Sequence, residues 1–190
     1  MKRFGRALGP GLLALGLLAL LLAASGAQAR KWSRTPLDRA QDYLTITDNR
    51  GADGLVVLIW LAPPVVPPGP MQGAVREMLD KYVVLAAVHA RVGADNKMSL
   101  ERLPSLQALD AAGKPLTGLN GTALPADLMR TIGPVQADLM HSFGTLGQGM
   151  QWFLFEAGSV HACAKTDAPV ALSVPVAGET YTFATPVPGC

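Results

Sequence analysis

The sequence holds few residues whose types and spacing could do chemistry, and the cysteines are the most informative of them. Cys163 and Cys190 are its two cysteines. An even pair in an oxidising compartment is read first as a disulfide, and two cysteines allow one intramolecular pairing. The competing chemistry is metal binding at His161-Ala162-Cys163, because residues two apart on a strand project to the same face. A blue-copper centre further requires a second His and commonly a Met just behind the Cys, and neither follows Cys163. The expectation is a Cys163–Cys190 disulfide, with no metal site and no cofactor. His161 and Cys163 would be available to a metal only without that bond.

Two more histidines complete the set of three. His89 sits in an apolar strand pattern and reads as a core or interface histidine. His141 follows Met140 on a helical pattern and reads as a partly exposed helix residue. No Ser or Asp stands at a recognisable triad spacing from either, so no catalytic residue is assigned. Gly144-Thr145-Leu146-Gly147-Gln148-Gly149 is glycine-rich but lacks the Lys-Ser/Thr of a phosphate loop. It also follows a helix, whereas a dinucleotide loop precedes one, so it reads as a flexible helix exit. Asp48-Asn49 and Asp95-Asn96 are turn signals. Met71, Met78, Met129, Met140 and Met150 fall mostly at helical apolar positions and are expected in the core.

What positions these residues begins with an export signal. Lys2, Arg3 and Arg6 form a cationic start, Gly11 to Ala24 is a Leu/Ala/Gly run, and Ala27-Gln28-Ala29 places small residues where a signal peptidase reads. The run is shorter than the roughly 20 apolar residues of a spanning helix. Residues 1–29 are therefore expected to be removed, leaving no stable membrane span and placing the protein in the periplasm or outside the cell. Three of the 16 basic residues leave with the signal, so 13 remain against 14 acidic ones. The basic character of the precursor belongs to its leader, and the electrostatic basis for nucleic-acid binding goes with it. Residues 30–42 read as a flexible lead-in and 43–190 as one β-rich domain.

Within that domain, Tyr43 to Thr47 alternates as a strand, ended by Asp48-Asn49-Arg50-Gly51. Leu55 to Leu61 (LVVLIWL) is an apolar run of strand length, and Pro63 to Pro70 is a stiff proline-rich connection. Met71 to Lys81 has the spacing of one helix face, and Tyr82 to Val92 is a second buried strand. Leu106 to Leu116 reads as a hairpin across a Gly-containing turn. Leu124 to Phe143 is a second helical region that Pro134 is expected to break. Gln151 to Phe155 is an aromatic strand. Val170 to Val176 and Glu179 to Phe183 pair across Ala177-Gly178.

Two resemblances follow. Strand Leu55–Leu61, helix Met71–Lys81 and strand Val83–Val92, then Leu103-Pro104-Ser105-Leu106 and the Asp110 to Lys114 turn, resemble the thioredoxin-like fold over roughly residues 54 to 120. Where that family carries Cys-x-x-Cys, this chain has Pro63-Pro64-Val65-Val66-Pro67. No thiolate forms there, and disulfide exchange is unavailable. The strand Tyr82–Val92, the Asp110-Ala111-Ala112-Gly113-Lys114 hairpin, Gly149–Phe155 and Tyr181-Thr182-Phe183 resemble secreted bacterial immunoglobulin-like β-sandwich domains over about residues 43 to 185. Only seven residues, Gly93 to Ser99, follow Val92 before the next extended segment. A thioredoxin-like order needs a helix there, so the sandwich with two inserted helical segments is preferred. The functional expectation is a non-enzymatic, exported binding or structural module whose partner is a protein or a cell-envelope component. Trp60, Trp152, Phe153 and Phe155 are aromatic residues that such binding uses, though most are expected in the core. The alternative is a redox-inactive thioredoxin-like scaffold or chaperone.

Overall fold

A computed structural model describes residues 44–51, 54–63, 72–95, 97–119, 124–165, 170–188 and 190. The stretches expected to be an export signal and a lead-in, and most of the proline-rich connection, lie outside the described residues. The strands are β1 (Leu44–Asn49), β2 (Leu55–Trp60), β3 (Tyr82–Val92), β4 (Met98–Glu101), β5 (Leu109–Asp110), β6 (Gly118–Leu119), β7 (Gln151–Glu156), β8 (Leu172–Val176) and β9 (Glu179–Phe183). The helices are α1 (Gln72–Lys81), α2 (Ala126–Ser142) and the four-residue α3 (Thr145–Gln148). The protein is mainly β, with antiparallel sheets and a few helices.

Strands β2 and β3 are apolar on both faces, and the packing gives the reason. The large sheet runs β1-β2-β3-β7-β6, with β4 also on β3; the small sheet runs β5-β8-β9. Val56, Leu58 and Trp60 of β2, with Val83, Leu85 and Ala87 of β3, share one buried cluster with Leu172, Val174, Tyr181 and Phe183 of the small sheet. The Trp60 and Phe183 rings meet edge to face at 5.6 Å. The alternate residues Val57, Ile59, Val84, Ala86 and Val88 share a second cluster with Met78 and Leu79 of α1 and Leu128, Ile132 and Leu139 of α2. A strand covered on both sides has no solvent face to mark with polar residues, hence the unbroken apolar runs.

The order of pairing overturns the thioredoxin-like alternative. β2 and β3 flank α1 in sequence, and that fold would join them as a parallel β-α-β unit. Here they are antiparallel, Leu55 opposite Ala90 and Trp60 opposite Leu85. The geometry is possible because α1 ends at Lys81 and β3 begins at Tyr82 with no residue between, so the helix returns the chain to the end of the sheet where β2 finished. The turn before β2 needs a glycine: Gly54 has φ +109°, and a Cβ there would lie 2.2 Å from the Ala90 carbonyl oxygen.

Pro134 does not break α2, which runs through it. Its ring removes a bond to the Arg130 carbonyl, but both residues are exposed, so water reaches that oxygen. Gly133 before it has no Cβ to clash with the proline ring. The β8–β9 hairpin closes through Ala177 (φ 51°) and Gly178 (φ 83°), the two left-handed residues of a type I′ turn. The expected hairpin near Asp110 is present. Asp110 N–H donates to the Lys114 carbonyl and Gly113 N–H to the Asp110 carbonyl.

Candidate functional site

Helices α1 and α2 cover the same face of the large sheet, and a groove of about 560 Å³ opens between them. Ala74, Val75 and Met78, on one face of α1 by their spacing, line it together with Asp127, Arg130 and Thr131 of α2. The Thr131 hydroxyl donates to the Asp127 carbonyl at 3.0 Å, and Arg130 Nε donates to the Ala126 carbonyl at 3.4 Å. The groove thus presents an apolar floor beside one carboxylate and one guanidinium. That combination suits an apolar side chain flanked by charge, and no His or Cys is among the described residues that line it. The sequence places the α1 residues on one helix face, with Met78 expected in the core, and does not single out the α2 residues. The signal it passed over is the i,i+4 pair Asp127 and Thr131 beside an apolar α2 face.

A second polar cluster lies where the large sheet runs past the small one. Asp48 is opposite Val56, Val56 opposite His89, and His89 opposite Glu101, one row across four strands. His89 has a side chain 5% exposed, and its Nδ1 lies 2.8 Å from Glu101 Oε2. Arg91 pairs with the other oxygen of that carboxylate. Gln151 Nε2 donates to the Glu101 carbonyl, and Gln151 Oε1 accepts from the Leu103 N–H. A histidine oriented by a carboxylate supplies two of the three members of a hydrolytic triad. Its register neighbours, however, are Val56 and Glu101, and neither carries the hydroxyl or thiol that attacks in such a triad. The pair fastens β4 to β3.

At the row's other end the Tyr181 hydroxyl donates to Asp48 Oδ2 at 2.8 Å, and Arg50 Nη1 donates to the Ala177 carbonyl at 2.6 Å. Burial, followed by that bond to Asp48, pushes the Tyr181 phenol up to about 12. The contacts join the end of β1 and the turn after it to the β8–β9 hairpin. A smaller hollow of about 230 Å³ is lined by Asp110, Lys114, Glu156 and Ser159 among others. Asp110 Oδ1 accepts from the Ala112 and Lys114 N–H groups and Oδ2 from the Ser159 hydroxyl. The Lys114 N–H, chiefly, holds that carboxyl below its ordinary range, and its acceptors serve the turn.

Cys163 and Cys190 form a disulfide with Cα atoms 5.3 Å apart. Val187 beside it is buried, and its N–H donates to the Ala162 carbonyl at 2.9 Å. His161 is exposed at the start of the turn that carries Cys163, which is not the strand the sequence suggested, and with Cys163 bonded the pair does not chelate. Among the described residues no group of three or more His, Cys, Asp and Glu converges as a metal site. His141 is exposed on α2. The glycine-rich stretch is a packed helical turn: Gly147 lies so close to α2 that a Cβ would fall 2.1 Å from the Met140 carbonyl. Trp60 and Phe155 are core, while Trp152 and Phe153 are half-buried. Met78 and Met150 are buried as expected, but Met129 and Met140 are exposed on α2. Leu128, Ile132 and Leu139 define its buried stripe, and those two methionines lie on its flank.

No helix among the described residues is long and apolar enough to cross a membrane, and the disulfide is compatible with an oxidising extracellular compartment. Compared with known proteins, the chain matches no family model, no curated protein and no solved structure.

Proposed function

We propose that this protein is an exported, non-enzymatic binding module of the cell envelope that holds a segment of another envelope protein between α1 and α2. The observation that carries the reading is the groove, with its apolar floor of Val75 and Met78 and its charged edge of Asp127 and Arg130. The matching segment presents an apolar side chain between a basic and an acidic residue, so that opposite charges meet Asp127 and Arg130 as the apolar group enters. The architecture belonging to this reading is a β-sandwich, supported by the buried cluster that residues of both sheets share. In it α1 and α2 cover the large sheet's second face, which the two bare sheets of an immunoglobulin-like sandwich would leave open.

The test is photocrosslinking in exporting cells from a probe at Val75 and, as a control, from Glu179 on the far sheet. The reading expects a discrete adduct from position 75 alone, lost in Arg130→Glu, whose partner peptide carries an apolar residue beside an acidic one. Equal adducts from both probes, or an adduct indifferent to Arg130→Glu, would refute it.

A further inference from the structure

The β3–β4 hairpin projects beyond both cores. Burial along β3 ends at Ala90, and Arg91, Val92 and Met98 to Leu100 are exposed. Val92, Met98 and Leu100 are large apolar residues left 44%, 42% and 37% exposed. They share one face, since Val92 is opposite Met98 and Ala90 opposite Leu100. β4 is bonded on one side only: it pairs with β3, and no other strand among the described residues takes its outer edge. Exposed apolar residues on an open edge are what sheet proteins ordinarily avoid.

The edge is self-complementary. Gly93 N–H donates to the Lys97 carbonyl, so by the alternation of an antiparallel ladder Ser99 and Glu101 turn their backbone groups toward β3. Met98 and Leu100 then turn theirs outward. A second copy approaching antiparallel about a twofold axis at Ser99 meets Met98 with Leu100 and Leu100 with Met98, in hydrogen-bonded pairs. Ser99 faces Ser99. On the opposite face Lys97 meets Glu101, twice. Sliding by two residues either way, the smallest shift that keeps the faces matched, puts Lys97 or Glu101 opposite Ser99 and removes both charge pairs. Within the chain Lys97 already holds Asp95, and the Glu101 carboxylate already holds His89 and Arg91; with side chains 84% and 37% exposed, Lys97 and Glu101 still reach solvent, and the pairing adds a second cation beside Glu101.

We propose that two copies of this protein pair through β4, antiparallel and centred on Ser99, joining their large sheets into one continuous sheet. The inference rests on the hairpin and is independent of the α1–α2 groove. An interface of a few strand residues is small beside the roughly 1,600 Å² of a standard stable complex, so the dimer is concentration-dependent.

Single-cysteine cross-linking of the full exported chain tests the register, because a non-hydrogen-bonded antiparallel pair brings Cα atoms to about 4.5 Å, within disulfide reach. Ser99→Cys should give a disulfide-linked dimer under mild oxidation, and Met98→Cys and Leu100→Cys, which face themselves only in the shifted registers, should not. Sedimentation of the unaltered protein should show a mass that rises with concentration. Lys97→Glu should weaken that association roughly tenfold, since two opposite-charge pairs become two like-charge pairs. A monomer at every concentration, cross-linking equal at the three positions, or capture of a different protein by Ser99→Cys in place of a second copy would overturn the proposal.

Discussion

Replacing both cysteines, Cys163→Ser with Cys190→Ser, tests how the C-terminus is held. The bond closes a sequence separation of 27, for which the loop-entropy relation gives about 3.5 kcal/mol at 25 °C. At 2–4 °C per kcal/mol for a chain of this size, the melting temperature should fall by about 7–14 °C. The structure also says where the loss is felt. Without the bond, the last residues are held mainly by the Val187 side chain, 2% exposed, and its N–H to Ala162. Those contacts contribute about 2–4 kcal/mol together, against an ordering cost of about 1–2 kcal/mol for each residue of the tail. The tail should therefore detach, and the Val187 amide should exchange as freely as an exposed one while Val84 and Leu85 stay protected. Calorimetry and hydrogen exchange read the two effects. A melting temperature within about 2 °C of the oxidised protein, or an unchanged Val187 amide, would refute the reasoning.

Four further expectations can be checked directly. Export should leave a mature N-terminus at Arg30, read by intact mass; retention of Met1 or a lipid adduct contradicts it. Insulin-reduction assays should show background turnover, because no thiol stands near Pro63; turnover lost on changing Cys163 alone would contradict this. Tyr181 ionises at about 12 in the fold against 10 when unfolded, so its contribution is complete below pH 10 and is lost as pH rises through 12. Tyr181→Phe should therefore flatten stability between pH 10 and 12 in alkaline melts. Ala177→Asn, which suits the left-handed position at φ 51°, should stabilise by up to about 1 kcal/mol in urea titrations; a lower midpoint would show that the turn is not strained there.

Local order was largely legible. The spacing in Met71 to Lys81 anticipates α1, the run Tyr82 to Val92 is β3, and Glu179 to Phe183 is β9. These rest on periodicities that a short window contains. The Cys163–Cys190 bond was legible because two cysteines have one pairing. Strand direction was not: a strand, a helix and a strand look alike whether the strands end parallel or antiparallel. Only the Leu55–Ala90 register decides it. Pro134 misled because solvent at Arg130 cannot be read from the proline alone. The groove was invisible for a related reason. Ala74 and Val75 look like core until the distance to α2 is known, and Asp127 and Arg130 look like any solvated helix surface.

A strand apolar on both faces poses a problem of address. Alternation normally tells a strand which way to face, because a slip of one residue sends oil to water. In β3 most such slips would exchange one apolar residue for another, so the pattern carries little of that message. His89 supplies what is missing. It and Thr185 are the buried polar residues among those described. Moved by one position, His89 would point into the helix-side cluster, away from Glu101. Moved by two, it would remain on its own face but lose the carboxylate opposite. One imidazole thus serves as the index mark of an eleven-residue strand, the office a single buried asparagine performs in a coiled coil. A protein carrying His89→Val should keep its strands and lose certainty about where they begin.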